Sequence, residues 1–335
     1  MSSEKQAPSK PKRRWFQLRL RTLLVLVTLA SGVFGWVGWE LEQRRREKVA
    51  IAWVEKLGGS ADPNGFLNVE TSWWKKTKDT LFGESVTQIS LNDTQVSDLI
   101  PLAGLKQLNY LYLDKTEVHD LSTLAGLKNL QWLNLQSTQV SDLSPLAGLK
   151  NLRGLRLNQT EVSDLSPLEG LTNLEWLYLG ETEVSDLSPL AGLKNLVLLD
   201  LNETSVSDLS PLVGLKNLQS LNLQSIPASD LSPLAGMENL GGLILNNTPV
   251  SDLSPLAGME NLEWLYLNQT EVSDLSPLAG LSNLEYLYLD QTEVSDLSAL
   301  AGMEKLEWLY LEGTNVTEEQ IDKLKLALPK CKISR

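Results

Sequence analysis

Two residue types recur at a spacing regular enough for their members to act together: aspartate, and the aromatic pair Trp and Tyr. Aspartate falls at 98, 120, 142, 164, 186, 208, 230, 252, 274 and 296, one every 22 residues. Such a row suggests a calcium ladder, but Ca²⁺ takes about six to eight oxygens converging on one point. Single carboxylates held one repeat apart instead bond the backbone of their own turns. Other catalytic material is scarce, with one histidine, His119, and one cysteine, Cys331. That inventory excludes an intrachain disulfide, a multi-His metal site and a Cys nucleophile with several candidate bases. No acid, base and nucleophile set converges, so the expectation is a protein that is not an enzyme and holds no cofactor or metal.

The aromatics carry recognition chemistry instead. Eleven residues, Tyr110, Tyr112, Trp132, Trp176, Tyr178, Trp264, Tyr266, Tyr286, Tyr288, Trp308 and Tyr310, are all the aromatics from residue 86 onward, and they include all seven tyrosines. They sit between the leucines of an L-x-x-L-x-L run, which on a strand is the side opposite the leucines. Pairing across neighbouring strands would stabilise a sheet, but that role alone calls for an even spread. The runs around Leu198, Ser220 and Gly242 have none, and the same region carries Ile226, Pro227 and Ala228 where other copies have Thr and Val. Exposed Trp and Tyr on a rigid surface are the material of interface hot spots. These eleven are therefore the candidate ligand-binding residues, with a protein as the expected partner. A glycan is the alternative, since aromatic faces stack on sugar rings; Asn134, Arg156, Asp200 and Asn222 would then grip its hydroxyls.

The element that must position them is a repeat. Leu130 to Asn151, LQWLNLQSTQVSDLSPLAGLKN, returns with small changes, and its Val140 has counterparts at 96, 118, 162, 184, 206, 228 (Ala), 250, 272, 294 and 316, always 22 residues apart. A fixed period in this range is the mark of a stacked solenoid. Leu130, Leu133, Leu135, Val140, Leu143, Leu146 and Leu149 are its apolar set. Thr138 and its copies are expected to satisfy backbone groups between successive coils. Ser144-Pro145 is expected to start a 3₁₀ or irregular return segment with Ser as its N-cap, and Gly148 to bend the chain back toward the next strand. The predicted fold is an α/β solenoid: a curved parallel β-sheet of about eleven strands with short convex segments, capped by helices and preceded by one transmembrane helix. Strands about 4.8 Å apart give it a length of roughly 48 Å.

The flanks divide the rest. Residues 1–21 form a basic tail with seven Lys/Arg, and 22–39 contain no charge. Eighteen residues of helix span roughly 27 Å, about a hydrocarbon core, and Trp15, Phe16, Trp36 and Trp39 suit its two interfaces. A cleaved signal peptide is the alternative, with Ala30-Ser31-Gly32 as the small-residue site and Arg13-Arg14 as a loose twin-arginine match; Arg19 and Arg21 and the continuing apolar run argue against it. Ser31 and Gly35, four apart, read as small lipid-facing residues rather than as a helix–helix contact. Residues 40–85 comprise a juxtamembrane helix ending at Gly58-Gly59, an Asp62-Pro63-Asn64-Gly65 turn, and a Ser72–Phe82 helix whose Trp73 and Trp74 would cap the first coil. The repeats occupy 86–316. A C-terminal cap, 317–335, opens with a Thr317-to-Gln320 capping box and closes on a short strand in which Cys331 is a buried small hydrophobe.

The LxxLxLxxTxVSDLSPLAGLKN pattern over 86–316 resembles the 22-residue leucine-rich repeat of bacterial internalins. The resemblance implies the solenoid fold; the chain departs from it in having Thr where the family usually has Asn, and none of the family's flanking domains is matched. Net charge is −13, split between a positive first 50 residues, with eleven Lys/Arg against four Glu, and a strongly acidic remainder. A body this acidic is not a nucleic-acid binder. The N-x-T triplets at Asn92, Asn158, Asn202, Asn246, Asn268 and Asn315 belong to the repeat turn and carry little weight as glycosylation sites. The positive-inside rule predicts a single-pass membrane protein with a cytoplasmic N-terminus and an exported repeat body.

Overall fold

A computed structural model describes residues 20–62 and 85–335. The tail up to residue 19, the Asn64-Gly65 turn and the Ser72–Phe82 segment lie outside the described residues. The chain forms two compact units, residues 1–45 and 46–335.

Helix α1 runs without interruption over Leu20–Lys56. The sequence suggested a spanning segment and a separate juxtamembrane helix; the two are one element because no proline or glycine falls between Trp39 and Leu57. Leu24, Val25, Leu26, Val27, Leu29, Val33, Phe34 and Trp39 are all exposed on it. Among the described residues it is the one helix long and apolar enough to cross a membrane. Its last turns belong to the second unit, where Ala50 and Val54 are fully buried in the same core as Ile89 and Leu91 of the first coil. The cap expected of Trp73 and Trp74 is thus supplied at least in part by the helix end. Gly58, in left-handed backbone at φ +83°, stops the helix as anticipated. Gly59 turns the chain tightly under the sheet: a Cβ there would stand 2.6 Å from the Ser90 carbonyl oxygen.

The sheet has thirteen strands in sequence order. They are β1 (Ser60–Asp62), β2 (Gln88–Ser90), β3 (Tyr110–Tyr112), β4 (Trp132–Asn134), β5 (Gly154–Arg156), β6 (Trp176–Tyr178), β7 (Leu198–Asp200), β8 (Ser220–Asn222), β9 (Gly242–Ile244), β10 (Trp264–Tyr266), β11 (Tyr286–Tyr288), β12 (Trp308–Tyr310) and β13 (Lys332–Ser334). The eleven from β2 to β12 are the repeat strands, parallel, each residue facing the one 22 positions on, as Trp264 faces Tyr286. Each end gains one strand: β1, antiparallel to β2, which the sequence did not suggest, and β13, parallel to β12, which it did. The seven apolar positions of Leu130–Leu149 are at most 1% exposed. Ten 3₁₀ turns, from Ile100–Leu102 to Ser298–Leu300, make the returns.

Three details of the coil differ from expectation. The threonine hydroxyls stay within their own coil: Thr138 Oγ1 donates to the Leu135 carbonyl at 2.6 Å, three residues back, and its copies do the same. Bonds between coils come from elsewhere. Asn151 Nδ2 donates to the Lys128 carbonyl at 2.9 Å, a contact repeated from Asn129 through Asn283, while Asn92, Asn246, Asn268 and Asp290 accept the backbone N–H of the residue 22 ahead. Serine is not the cap of the return turn. The aspartate two residues earlier caps it, Asp142 Oδ1 accepting the Ser144 N–H at 2.8 Å. Finally, Gly148 and most of its copies have ordinary φ; only Gly236 and Gly258 are left-handed. The left-handed residue of every coil lies instead just before the threonine, or before Ile226 in the one coil that lacks it, at Asp93, Lys115, Ser137, Gln159, Glu181, Glu203, Ser225, Asn247, Gln269 and Gln291, with Gly313 in the last coil.

At the C-terminus, helix α2 (Glu318–Ala327) opens with the expected capping box between Thr317 and Gln320. It ends one residue short of Leu328, and Leu326 faces solvent. Cys331 is half-buried, and burial pushes its thiol up to about 11.

Two outcomes follow. Gly59→Ala should cost about 1–3 kcal/mol, the range for forcing an atom into packed structure, read as a fall in thermal midpoint. The second concerns acid. Hydrogen bonds hold the carboxyls of Asp120, Asp230, Asp274 and Asp296 below the ordinary value, chiefly through the serine N–H and then its hydroxyl; at Asp142 and Asp186 the hydroxyl contributes more. Carboxyls depressed on folding contribute stability above the unfolded aspartate value of about 3.9 and lose it as pH falls through the lower folded value. The thermal midpoint should be flat with respect to these groups above about pH 5 and drop steadily below about pH 4; Asp142→Asn should flatten that drop slightly.

Candidate ligand-binding face

Each repeat strand is three residues long, and its central leucine is buried, so the residues on either side point away from the core. All eleven aromatics predicted from the sequence occupy these flanking positions on β3, β4, β6 and β10–β12. Parallel register brings them into two groups separated by β7, β8 and β9.

In the first group, Trp132 and Trp176 are two strands apart, yet their ring centroids lie 6.1 Å from each other at an interplanar angle of 48°. The strand between them presents Gly154. A Cβ there would overlap the Trp132 ring, so the indole lies directly over the glycine backbone and leans toward Trp176. Arg156 crosses the same face at the other end of the strand, its guanidinium carbon 4.7 Å from the Tyr178 ring centroid in a cation–π contact. Arg153 is ion-paired with Glu175. Tyr110, Gln131, Trp132, Arg153, Trp176 and Tyr178 enclose a cleft of about 300 Å³. Desolvation raises the Tyr110 and Tyr112 hydroxyls above their ordinary value.

The second group is built differently. Tyr266, Tyr288 and Tyr310 form a continuous stack, with centroids 4.3 Å apart and planes within 8°. Stacking at this distance covers the inner ring faces and leaves edges and hydroxyls to the outside. Desolvation shifts both Tyr288 and Tyr310 upward; the hydrogen bond between their hydroxyls adds to the rise at Tyr310 and opposes it at Tyr288. Trp308 is nearly parallel to Tyr310 at 6.1 Å, and Lys332 Nζ of β13 sits 4.2 Å over the Trp308 ring. Trp264 leans over Gly242 and is the most open aromatic of the face, 45% exposed.

The polar residues of the face are engaged at home. Asn134 is buried and accepts the Gln136 N–H at 3.0 Å; Asn222 accepts the Gln224 N–H at 3.1 Å. Asp200 accepts from Asn158 Nδ2 at 3.1 Å and from the Asn202 N–H at 3.2 Å. Sequence reasoning missed the part played by Gly154 and Gly242, the Arg153–Glu175 pair and Lys332. The signal for the glycines was present, since a glycine inside a strand marks close approach by something else; the other pairings depend on which way long side chains lean. His119 is exposed, and its Nδ1 lies 3.3 Å from the Glu117 carbonyl.

A stack of parallel three-residue strands with 3₁₀ returns and an open face defines a leucine-rich-repeat solenoid, a scaffold for binding proteins. The family described as "Leucine Rich repeats (2 copies)" matches residues 128–170, 172–213 and 260–302. A crystal structure of the Listeria monocytogenes internalin InlF is 32% identical and superposes with a TM-score of 0.68, covering 73% of this chain and 72% of that one. Listeria internalin C2 is 38% identical over 56% of this chain and 83% of its own, at a TM-score of 0.55. A leucine-rich-repeat protein of Leptospira interrogans is 25% identical over 73% and 67%, at 0.67. No curated protein sequence matches significantly. The chain belongs to the bacterial internalin-type leucine-rich-repeat family.

Replacing Gly154 by valine should drive Trp132 off β5 and open the Trp132–Trp176 contact. The expected readout is a red-shifted tryptophan emission with the far-UV circular dichroism unchanged; an unaltered spectrum would show that the pair does not depend on the glycine.

Proposed function

We propose that this protein is a membrane-anchored binding scaffold, not an enzyme, that takes a protein partner on the aromatic face of its sheet. The observation that carries the reading is the Trp132–Trp176 pair leaning together over Gly154, with Tyr110, Gln131, Arg153 and Tyr178 around the cleft. Large aromatics with an arginine beside them, held on a rigid sheet, are what a partner's side chains anchor to. A glycan fits less well. Sugar stacking needs free ring faces, and the Tyr266–Tyr288–Tyr310 stack covers its own; of the hydroxyl-gripping candidates, Asn134, Asp200 and Asn222 are hydrogen-bonded to neighbours within the chain and Arg156 lies over the Tyr178 ring.

The anchor is residues 22–39 of α1, in contact with the lipid bilayer, with the N-terminus in the cytoplasm and the repeats exported. Its support is the exposed apolar surface from Leu24 to Trp39 and the seven Lys/Arg that precede it. Protease added outside intact cells should remove the repeats; full protection would put them on the inner side.

The binding test compares the detergent-solubilised chain with its Trp132→Ala/Trp176→Ala variant, in a crosslinking pull-down and on a glycan array. The expected result is a protein whose capture falls at least tenfold in the variant, at about 1–3 kcal/mol per hot-spot aromatic, with no glycan signal. Equal capture by both forms would overturn the aromatic face as the site, and a glycan signal lost in the variant would transfer it to the alternative reading.

A further inference from the structure

One lateral edge of the solenoid carries a charge pattern that neither the core nor the aromatic face uses. The residue after the last core leucine or methionine of each coil lies on the loop that climbs to the next strand. The first two such loops carry Lys106 and Lys128, and from the third to the tenth these positions read Lys150, Thr172, Lys194, Lys216, Glu238, Glu260, Ser282 and Glu304 when taken in order. All eight are exposed. Because the repeat admits no insertion, they form one row, one member per coil, with neighbours about one strand spacing, or 4.8 Å, apart.

The last eight of these ten positions are antisymmetric about the point between Lys216 and Glu238. Counting outward from the point between Lys216 and Glu238, the pairs are Lys216 with Glu238, Lys194 with Glu260, Thr172 with Ser282, and Lys150 with Glu304. Each cation matches an anion at the same distance, and the one neutral hydroxyl on one side matches a neutral hydroxyl on the other. A two-fold axis through that point, perpendicular to the stack, turns these eight positions onto themselves with each of their charges facing its opposite, and leaves Lys106 and Lys128 beyond the matched stretch. Self-complementarity under a two-fold rotation is the requirement of an isologous dimer.

The charges are available. Lys150 and Lys216 Nζ donate to the neutral carbonyls of Gly170 and Gly236, which orients them without cancelling their charge. None of the six charged residues forms an ion pair among the described residues. A second feature marks the same place: Val213, three residues before Lys216 on the same loop, is one of the few large apolar side chains exposed in the repeat unit, at 52%. The equivalent position in the other coils is Ala, except for Glu169. The dyad sets Val213 beside the axis with Ala235 as its symmetry counterpart, a small apolar centre inside a charged rim, which is the anatomy of a protein interface.

We infer that two copies of this chain associate side by side and antiparallel through this edge, Lys194 of one against Glu260 of the other. Opposed charge sets the register and excludes the parallel arrangement, in which like charges would meet. The aromatic faces stay open, so the inference stands or falls independently of the proposed partner site.

Sedimentation velocity of the full chain in detergent, at low and at 0.5 M salt, tests it. The wild type should dimerise at low salt and dissociate toward monomer at high salt. Lys194→Glu and Glu260→Lys, each alone, should weaken the dimer at least tenfold. The double variant carrying both should recover it, because the exchanged charges again face each other across the dyad. Circular dichroism of all forms controls for folding. A monomeric wild type, a dimer indifferent to either reversal, or two single losses without recovery in the double variant would each overturn the proposal; indifference would indicate association through another surface such as α1.

Discussion

Everything on the face of this protein hangs on the backbone ladder between coils. Each strand contributes three residues, too few to persist alone, and becomes a strand only because the next coil repeats it in register. The leucines beneath follow the same logic. A coil buries its apolar set only by lying between two others, and ordering 22 residues costs roughly 1–2 kcal/mol per residue in backbone entropy alone. Stability is therefore a property of neighbours. That explains why both ends of the array are covered, by Ala50 and Val54 of α1 at one end and by α2 with β13 at the other.

The ladder also sets what the coil must tolerate. Each coil turns through a left-handed residue just before its threonine, or before Ile226 in the coil that lacks one, and ten of the eleven turns use a side chain other than glycine there. Such backbone costs about 1 kcal/mol or more per residue. It persists because the Thr-to-carbonyl bond on one side and the inter-coil bond of the left-handed residue itself, as from the Ser137 N–H to the Asn158 carbonyl at 2.9 Å, hold the turn in place. The residues so placed point outward at the rim of the face, where Gln159 reaches Glu181 and Ser137 reaches Gln159 across coils.

Much of this was legible in the sequence, for a physical reason. A period of 22 without insertion fixes the neighbours of every residue, so core, sheet and aromatic stripe follow from counting. What counting could not supply is direction within a coil. It gave Thr138 a role between coils that belongs to Asn151, and it gave Ser144 the cap that Asp142 makes, because both choices place a hydrogen-bonding side chain within one residue of a free backbone group. Nor could it show that Trp132 and Trp176 meet. That contact skips a strand and exists because Gly154 has no side chain to keep them apart. The extra strand Ser60–Asp62 was hidden for another reason: three residues with neither alternation nor β-branched side chains carry no strand signal, and only pairing with Gln88–Ser90 makes them one.

The three-residue strands have a mechanical consequence. A pull applied between the two ends of the array does not load all the inter-coil bonds at once; it loads one short ladder after another. When an end coil gives way it releases 22 residues, about 70 Å of extended chain, while the coils behind it keep their own neighbours. Such an array lengthens in equal steps and shortens by re-stacking on the coil that remains. Tethered at one end and gripping a partner across several coils, it would act as a spring of fixed increments, and a grip spanning the Trp132–Trp176 pair would lock the coils between them against release.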